Sequence, residues 1–168
     1  MREHRAVIRR LEPADVELLK RLRLAALLDA PSAFGSSHER EVAFADDEWR
    51  WRLRPEGHPT FVWGDATSSD GMVVAVRHSD EPDIVHLNAM WVRPSARRRG
   101  VGDALVAHVV TWAAERSATL VRLHVPAGTE PAERLYRRHG FAPTGVTETR
   151  DRDGATEIEM EVAIGRDR

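Results

Sequence analysis

Residues 92–105 constrain the fold most, because they join an apolar strand to a helix through a short basic loop. Three consecutive arginines lie at 97–99, and Gly100 and Gly102 follow where the sequence changes to a helical pattern. A strand, loop and helix in this order are typical of folds in which helices pack on a sheet. The apolar residues on one face of the helix are Val101, Leu105, Val109 and Trp112.

The basic loop is a candidate binding site for a pyrophosphate. The first N–H groups of a helix have no partner within the helix and carry the positive end of its dipole. Glycines let an anion approach this backbone, and Arg97, Arg98 and Arg99 add positive charge. A G-x-x-x-x-G-K-S/T loop is absent, and a dinucleotide fingerprint needs Gly or Ala in place of Leu105. A solvated basic turn that caps an ordinary helix is the alternative.

The remaining sequence predicts one α/β domain over residues 1–168, with a mixed sheet and helices packed on it. Turn-forming residues occupy 67–71 and 153–154, and the second turn connects a C-terminal hairpin in which apolar residues alternate with glutamates. Strands are predicted at 5–11, 60–66, 72–78, 83–92 and 120–125 and from residue 141 onward. Helices are predicted at 12–29, 38–54 and 130–138, and from the glycine pair to about residue 116.

Composition excludes several kinds of chemistry. The chain has no cysteine, which excludes disulfides, thiolate zinc sites, iron–sulfur clusters and a cysteine nucleophile. Its eight histidines show no familiar ligand spacing, so we expect no metal. A net charge of −2 gives no reason to expect nucleic acid or an anionic membrane as a partner. No apolar run approaches the ~18 residues of a membrane span, and no apolar signal segment is present at the N-terminus, which favours a cytoplasmic protein.

Two motifs in the C-terminal half resemble those of a known family. Arg97-x-x-Gly100-x-Gly102 resembles the acetyl-CoA signature R/Q-x-x-G-x-G/A of the GNAT N-acetyltransferase superfamily, after a strand and at the start of a helix as in that family. Residues 131–141, P-A-E-R-L-Y-R-R-H-G-F, resemble the family's A-x-x-L-Y-x-x-x-G-F motif. Residues 24–36 are similar to a subset of bacterial members, so the resemblance spans nearly the whole chain.

The resemblance implies a fold and a co-substrate. The fold is a single GNAT-like domain with a mixed, mostly antiparallel sheet of about six to seven strands, flanked by about four helices and splayed between strands four and five. The co-substrate is acetyl-CoA, whose pyrophosphate binds the loop amides and whose pantetheine arm pairs with the preceding strand. Thr129 stands where many members have a CoA-contacting asparagine, and its hydroxyl replaces only part of that hydrogen bonding. The residues thus assigned to CoA are Met90, Trp91, Val92, Arg97, Arg98, Arg99, Gly100, Val101, Gly102, Asp103, Thr129 and Ala132.

The resemblance also implies catalytic roles. Tyr136 corresponds to the general acid that protonates the leaving CoA thiolate, and a phenol with an ordinary pKa of about 10 is protonated at neutral pH. A half-buried aromatic on a short amphipathic helix is the alternative. His86 lies where some members have a glutamate as general base, and histidines change charge near neutral pH. Other members use a chain of water molecules; Asn88, a further candidate, shares the face of His86.

The two motifs do not determine the acceptor site. Aromatic side chains of the N-terminal half and of the fourth strand are candidate walls, although packing of helices on the sheet explains each of them better. These are Phe34, Trp49, Trp51 and Trp91. Carboxylates of the C-terminal hairpin could attract a cationic amine, although a polar strand face toward solvent explains them better. These are Glu148, Glu157, Glu159 and Glu161.

We therefore predict an N-acetyltransferase that moves an acetyl group from acetyl-CoA to a primary amine of a small molecule or peptide. Because no cysteine can hold an acyl intermediate, direct attack in a ternary complex is the simplest mechanism. A CoA-binding sensor or scaffold without catalysis is the alternative. The sequence leaves open which amine is used and whether a homodimer forms.

Overall fold

Seven strands form one sheet in the computed structural model, which describes residues 7–65 and 68–165. They are β1 (Val7–Arg10), β2 (Thr60–Gly64), β3 (Ser69–Val76), β4 (Ile84–Val92), β5 (Leu120–Pro126), β6 (Ala142–Thr149) and β7 (Thr156–Ala163). The strand order is β1-β2-β3-β4-β5-β7-β6, and β4–β5 is the one parallel pair among these strands. The expected mixed, mostly antiparallel sheet is confirmed. Residues 5–6 of the predicted first strand, and 66–67 of the predicted second strand and turn, lie outside the described residues.

Five α-helices are present in the described ranges. They are α1 (Val16–Asp29), α2 (His38–Val42), α3 (Asp46–Arg52), α4 (Val101–Glu115) and α5 (Glu130–Arg138). Short 3-10 helices lie at Pro13–Asp15, Pro31–Ala33 and Pro94–Ala96. Within residues 7–65 and 68–165, none of the helices has both the length and the apolar composition of a membrane span.

The prediction of one helix over 38–54 is wrong, since the chain forms α2 and α3 with a break at 43–45. Three acidic residues at 46–48 begin α3, where carboxylates interact favourably with the positive end of the helix dipole. The break brings the Phe44 and Trp49 rings within 5.9 Å and buries Trp49 completely. The acidic run at 46–48 is the sequence signal for this second helix start.

The turn predicted at 67–71 is wrong in part, because Asp70 and Gly71 lie inside β3. A Cβ atom built on Gly71 would lie 2.9 Å from Val101 Cγ1 and 3.0 Å from Leu105 Cδ1. Contacts this short exclude a side chain, so the glycine serves the close approach of α4 to the sheet. An Asp-Gly pair in the sequence does not distinguish this role from a turn.

The sheet separates two apolar cores. We call the side covered by α4 and α5 the α4 face; its core includes Val85, Leu105 and Tyr136. We call the side covered by α1, α2 and α3 the α1 face; its core includes Leu22 and Trp49. Each large apolar side chain that is fully buried in these cores contributes roughly 1.5–3 kcal/mol of stability.

β4 and β5 diverge along their length. Backbone pairs join them at Ile84–Leu120, Val85–Val121 and His86–Arg122. Beyond these three pairs, no pairing joins the two strands in the described part of the chain. The expected splay between strands four and five is therefore confirmed, and it leaves one edge of each strand unpaired inside the sheet.

A bulge in β4 changes the face toward which its side chains point. Ala89 has a φ of +53°, and two residues of β4, Ala89 and Met90, oppose the single residue Val73 of β3. Before the bulge, Leu87 lies in the core of the α4 face and its neighbour Asn88 points to the α1 face. After it, Met90 packs on the α4-face core and Trp91 lies in the α1-face core. Such strained backbone costs about 1–3 kcal/mol and is common at functional sites.

Candidate active site

A cavity of about 830 Å³ passes through the splay. The part of the cavity at the splay is lined by residues that pack in the core of the α4 face, which are Met90, Val125 and Tyr136. Asn88 and Phe34 line its part on the α1 face. Ligands approaching from opposite sides of the sheet can therefore meet inside it.

The loop before α4 leaves backbone N–H groups open. Gly100 is the N-cap residue of α4, with a φ of +82° that favours glycine, and Arg98 has a φ of +60°. The first bond of the helix runs from the Ala104 N–H to the Gly100 carbonyl, 3.0 Å away. The N–H groups of residues 101–103 thus have no intrahelical partner. This open backbone fits an anion such as a pyrophosphate.

The three arginines of this loop differ in their surroundings. Arg97 donates from Nε to the Val92 carbonyl at 3.0 Å and also pairs with Asp29. Arg98 and Arg99 are exposed, and neither has a side-chain partner among residues 7–65 and 68–165. Arg97 therefore fixes the loop, whereas Arg98 and Arg99 are available to a ligand.

Asp29, the last residue of α1, connects this loop to the α1 face. Its Oδ2 accepts a hydrogen bond from Trp91 Nε1 at 2.9 Å as well as from Arg97. The bond from Trp91, and then that from Arg97, holds the pKa of Asp29 below its ordinary value. Trp91 is only 5% exposed and is not among the described residues that line the cavity. The structure thus places Trp91 beside the loop, where it binds Asp29, and does not bring its side chain to the cavity.

Asp103 and Thr129 lie where α4 and α5 meet the loop and the cavity. Asp103 accepts from Arg138 at 3.2 Å, which with a contact to His139 at 2.9 Å lowers the pKa of Asp103. Thr129 is the N-cap residue of α5, but its side chain makes no capping bond, and both Thr129 and Ala132 line the cavity. The Asp103 carboxylate therefore ties α4 to α5, and the Thr129 hydroxyl remains available at the cavity wall.

The C-terminal cap of α5 positions Tyr136. Gly140 has a φ of +84°, and its N–H bonds to the Arg137 carbonyl at 3.0 Å. The Phe141 N–H bonds to the Tyr136 carbonyl at 3.1 Å. These two bonds form a Schellman motif, and the Tyr136–Phe141 ring contact, with centroids 5.9 Å apart, is the apolar contact that accompanies it. The L-Y-x-x-x-G-F spacing therefore has a physical reason: it closes the helix and fixes the tyrosine ring.

The Tyr136 side chain is buried but lines the cavity. It is 7% exposed, and burial raises the pKa of its phenol. Its hydroxyl has no hydrogen-bond partner in residues 7–65 and 68–165. Tyr136 thus presents a protonated, unengaged donor to the splay.

His86 and Asn88 differ in their relation to the cavity. His86 Nε2 lies 3.1 Å from Glu81 Oε2, and its ring packs edge-on against His78, with centroids 5.2 Å apart. His86 is not among the described cavity-lining residues, whereas Asn88 lines the cavity and is exposed to it. The structure therefore brings Asn88, and not His86, to the cavity.

The proposed aromatic walls also separate into two groups. Phe34 and Trp51 line the cavity, Phe34 as a buried residue and Trp51 with 62% of its surface exposed. Trp49 is completely buried in the α1-face core and, like Trp91, is not among the described lining residues. Packing explains Trp49 and Trp91, while Phe34 and Trp51 have contact with the site.

A buried ion cluster on the α1 face was not predicted from the sequence. Glu41, 1% exposed, accepts from Arg23 Nε at 3.0 Å and Nη2 at 2.8 Å, and from Arg52 Nη1 at 3.1 Å. Burial alone would raise the pKa of Glu41, but the two arginines lower it to about 2. The cluster joins α1, α2 and α3 at the wall of the cavity. No local spacing in the sequence indicates this ion cluster, because its three residues lie on three different helices.

His124 on β5 is a second unpredicted cavity residue. No motif marks it; its only sequence signal is the alternation of Arg122 and His124 with the buried Val121, Leu123 and Val125.

Within residues 7–65 and 68–165, no group of three histidine, aspartate or glutamate side chains could hold a metal ion.

Solved acetyltransferase structures share this fold. An acetyltransferase of the GNAT family from Streptococcus pneumoniae has a TM-score of 0.78 at 20% identity, covering 95% of this chain and 99% of that chain. The Salmonella typhimurium protein yncA, solved with acetyl-CoA, has a TM-score of 0.77 at 16% identity, covering 97% and 96%. Spermidine N-acetyltransferase from Vibrio cholerae, in complex with CoA and spermine, has a TM-score of 0.75 at 17% identity, covering 95% of both. The fold is thus that of the N-acetyltransferases.

The sequence identifies the family directly. The model of the acetyltransferase (GNAT) family matches residues 23–141, so the chain belongs to this family. The match includes both the loop before α4 and the α5 motif, and the resemblance found in the sequence is confirmed. No curated protein matches the chain significantly in sequence.

Proposed function

We propose that the protein transfers the acetyl group of acetyl-CoA to a primary amine by direct attack within a ternary complex. The cavity that runs from Tyr136 at the splay to Asn88 on the α1 face carries this proposal. It gives a thioester and an amine access from opposite sides of the sheet. The absence of cysteine supports direct transfer, because no thiol is present to hold an acyl intermediate.

The loop before α4 and the unpaired edge of β4 would bind acetyl-CoA. The open N–H groups of residues 101–103 are suited to the pyrophosphate, with Arg98 and Arg99 adding charge. Where β4 has separated from β5, the backbone of Met90 and Val92 has no partner on β5 in the described chain. It can therefore pair with an extended pantetheine arm. Binding in this way directs the thioester toward Tyr136.

Tyr136 serves as the general acid in this proposal. Attack by the amine nitrogen forms the C–N bond of the amide and breaks the C–S bond of the thioester, and the leaving thiolate takes the phenolic proton. Burial raises the pKa of Tyr136, so the phenol is protonated at neutral pH and holds the proton that the thiolate needs. The unengaged hydroxyl has no competing hydrogen bond to give up among the described residues.

The test is a thermal-shift titration with acetyl-CoA, followed by a thiol-release assay over polyamines, amino acids, aminoglycosides and peptide N-termini. We expect saturable stabilisation by acetyl-CoA and CoA release that depends on at least one amine. Stabilisation without release for every amine would favour a CoA-binding sensor or scaffold. Absence of both responses would contradict acetyl-CoA as the co-substrate.

A further inference from the structure

His124 lies across the splay from Tyr136. Its side chain is on the α1 face, since it pairs in register with Glu159 on β7 and alternates with the buried Leu123 and Val125. His124 and Asn88 both line the α1-face part of the cavity. Tyr136 lines the same cavity from the α4 face, so the two titratable groups are placed on opposite sides of the splay.

The two ring nitrogens of His124 have different surroundings. Nε2 is buried and makes no aligned hydrogen bond, but it lies 3.4 Å from Glu159 Oε2 and 3.9 Å from Glu148 Oε2. Nδ1 has no partner in the part of the chain that the structure describes. A proton on Nε2 would face these carboxylates, which leaves the lone pair of Nδ1 free on a residue of the cavity wall.

The His124 ring lies among charged side chains, and its nearest carboxylate oxygen, Glu159 Oε2, also lies 3.5 Å from Arg122 Nε. Glu159, 9% exposed, is held by a hydrogen bond from Thr144 Oγ1 at 2.9 Å. Arg122, the neighbouring cation on the same strand face, pairs most closely with Glu161 at 2.6 Å and also contacts Glu81 at 3.3 Å. Charged groups face His124 from three strands. They are Arg122 on β5, Glu148 on β6, and Glu157 and Glu159 on β7. Glu157 is also bound to Arg150.

We propose that His124, oriented by Glu159, is the general base that accepts the proton of the acceptor amine. This inference rests on the proposed acetyl transfer. As the amine nitrogen attacks the thioester carbonyl, Nδ1 of His124 takes one N–H proton, and Tyr136 gives its proton to the leaving thiolate. His124 then releases its proton to water and Tyr136 regains one, so the products are an amide and CoA thiol. His86, hydrogen-bonded to Glu81 outside the cavity lining, has no part in this step.

The test uses the amine that gives the fastest thiol release with the unsubstituted chain. We expect His124→Gln to lower kcat about 100-fold and to remove the acidic limb of the pH–kcat profile at saturating amine, with acetyl-CoA affinity and Tm unchanged. Added imidazole should restore part of the activity of His124→Ala, which a purely structural role would not explain. Glu159→Gln should lower kcat less than His124→Gln does, because the carboxylate beside the ring is lost while the imidazole itself remains.

Two substitutions complete the design. His78→Gln, at an exposed residue after β3, is the matched control and should keep the kcat and the acidic limb of the unsubstituted chain. Loss of the limb in His86→Gln, with its retention in His124→Gln, would overturn the inference in favour of His86. An unaltered profile in both variants would overturn it in favour of a water chain. Failure of the unsubstituted chain to release thiol with any amine would instead overturn the proposed acetyl transfer itself.

Discussion

The loop before α4 and the α1-face part of the cavity are built in different ways. The loop depends on neighbours in sequence: Gly100 caps its own helix, and Arg97 bonds to Val92 five residues earlier. The α1-face part of the cavity depends on distant residues, since Glu41 binds Arg23, 18 positions away, and His124 faces a different strand. Local construction leaves a motif in the sequence, whereas long-range construction leaves none. Substitutions in the ion cluster of the α1-face part of the cavity should therefore change mainly stability, and substitutions in the loop should change mainly acetyl-CoA affinity.

The largest effect should come from the ion cluster on the α1 face. Removing the carboxylate in Glu41→Ala leaves two guanidinium groups beside each other at a largely buried site, and we expect a loss of roughly 3 kcal/mol in the free energy of unfolding. Chemical denaturation measures this loss. Glu39→Ala, at an exposed position of the same helix, is the matched control and should change stability little. Equal stability of the two variants would show that the cluster does not hold α1, α2 and α3 together.

The same carboxylate predicts a pH dependence. The pKa of Glu41 is lowered from 4.5 to about 2 by its arginines, so its contribution to stability is fully present above pH 4.5. The contribution is lost as the pH falls toward 2. In denaturation curves at several pH values, Glu41→Gln should lack this part of the acid destabilisation. A parallel pH dependence in the variant and the unsubstituted chain would contradict the assignment.

Substitution in the loop before α4 should weaken the binding of acetyl-CoA. Gly100→Val places a branched side chain at a φ of +82°, and strain of about 1–3 kcal/mol will displace the open N–H groups. We expect about tenfold weaker acetyl-CoA binding by calorimetry, since 1.4 kcal/mol corresponds to a factor of ten. Gly145→Val is the control: it imposes similar strain at a φ of +90° on β6, and affinity should be unchanged. Equal weakening in both variants would mean that general destabilisation, and not the loop, sets affinity.

Asp29 joins the two regions, and its substitution should have the smallest effect. Asp29→Asn removes the charge that binds Trp91 and Arg97 but keeps the size of the side chain. We expect a loss of about 1 kcal/mol in the free energy of unfolding and acetyl-CoA binding weakened a few-fold. Asp80→Asn, exposed between β3 and β4, should change neither. Unchanged affinity in Asp29→Asn would show that the loop is fixed without α1.

Because the loop is built from neighbours in sequence and the α1-face part of the cavity is not, the sequence predicts the two regions to different degrees. Gly100 and Tyr136 could be located because each belongs to a short pattern that a helix cap requires. His124 could not, because its surroundings depend on the pairing of β5 with β7, which no local pattern specifies. His86 occupies the strand position that the resemblance assigns to a base, but it lies opposite Arg122 where β4 and β5 are still paired, and it is not among the described cavity-lining residues. The helix break at 43–45 and the role of Gly71 likewise follow from packing.

In the proposed mechanism, acid and base act from opposite sides of the splay, with Tyr136 as the acid. Its most direct test is the kcat of Tyr136→Phe in the thiol-release assay, together with the acetyl-CoA affinity of the same variant. The phenyl ring keeps the contact with Phe141, and only the hydroxyl is lost. We expect kcat to fall at least about tenfold with little change in affinity. A variant that retains the full kcat of the unsubstituted chain would contradict Tyr136 as the proton donor.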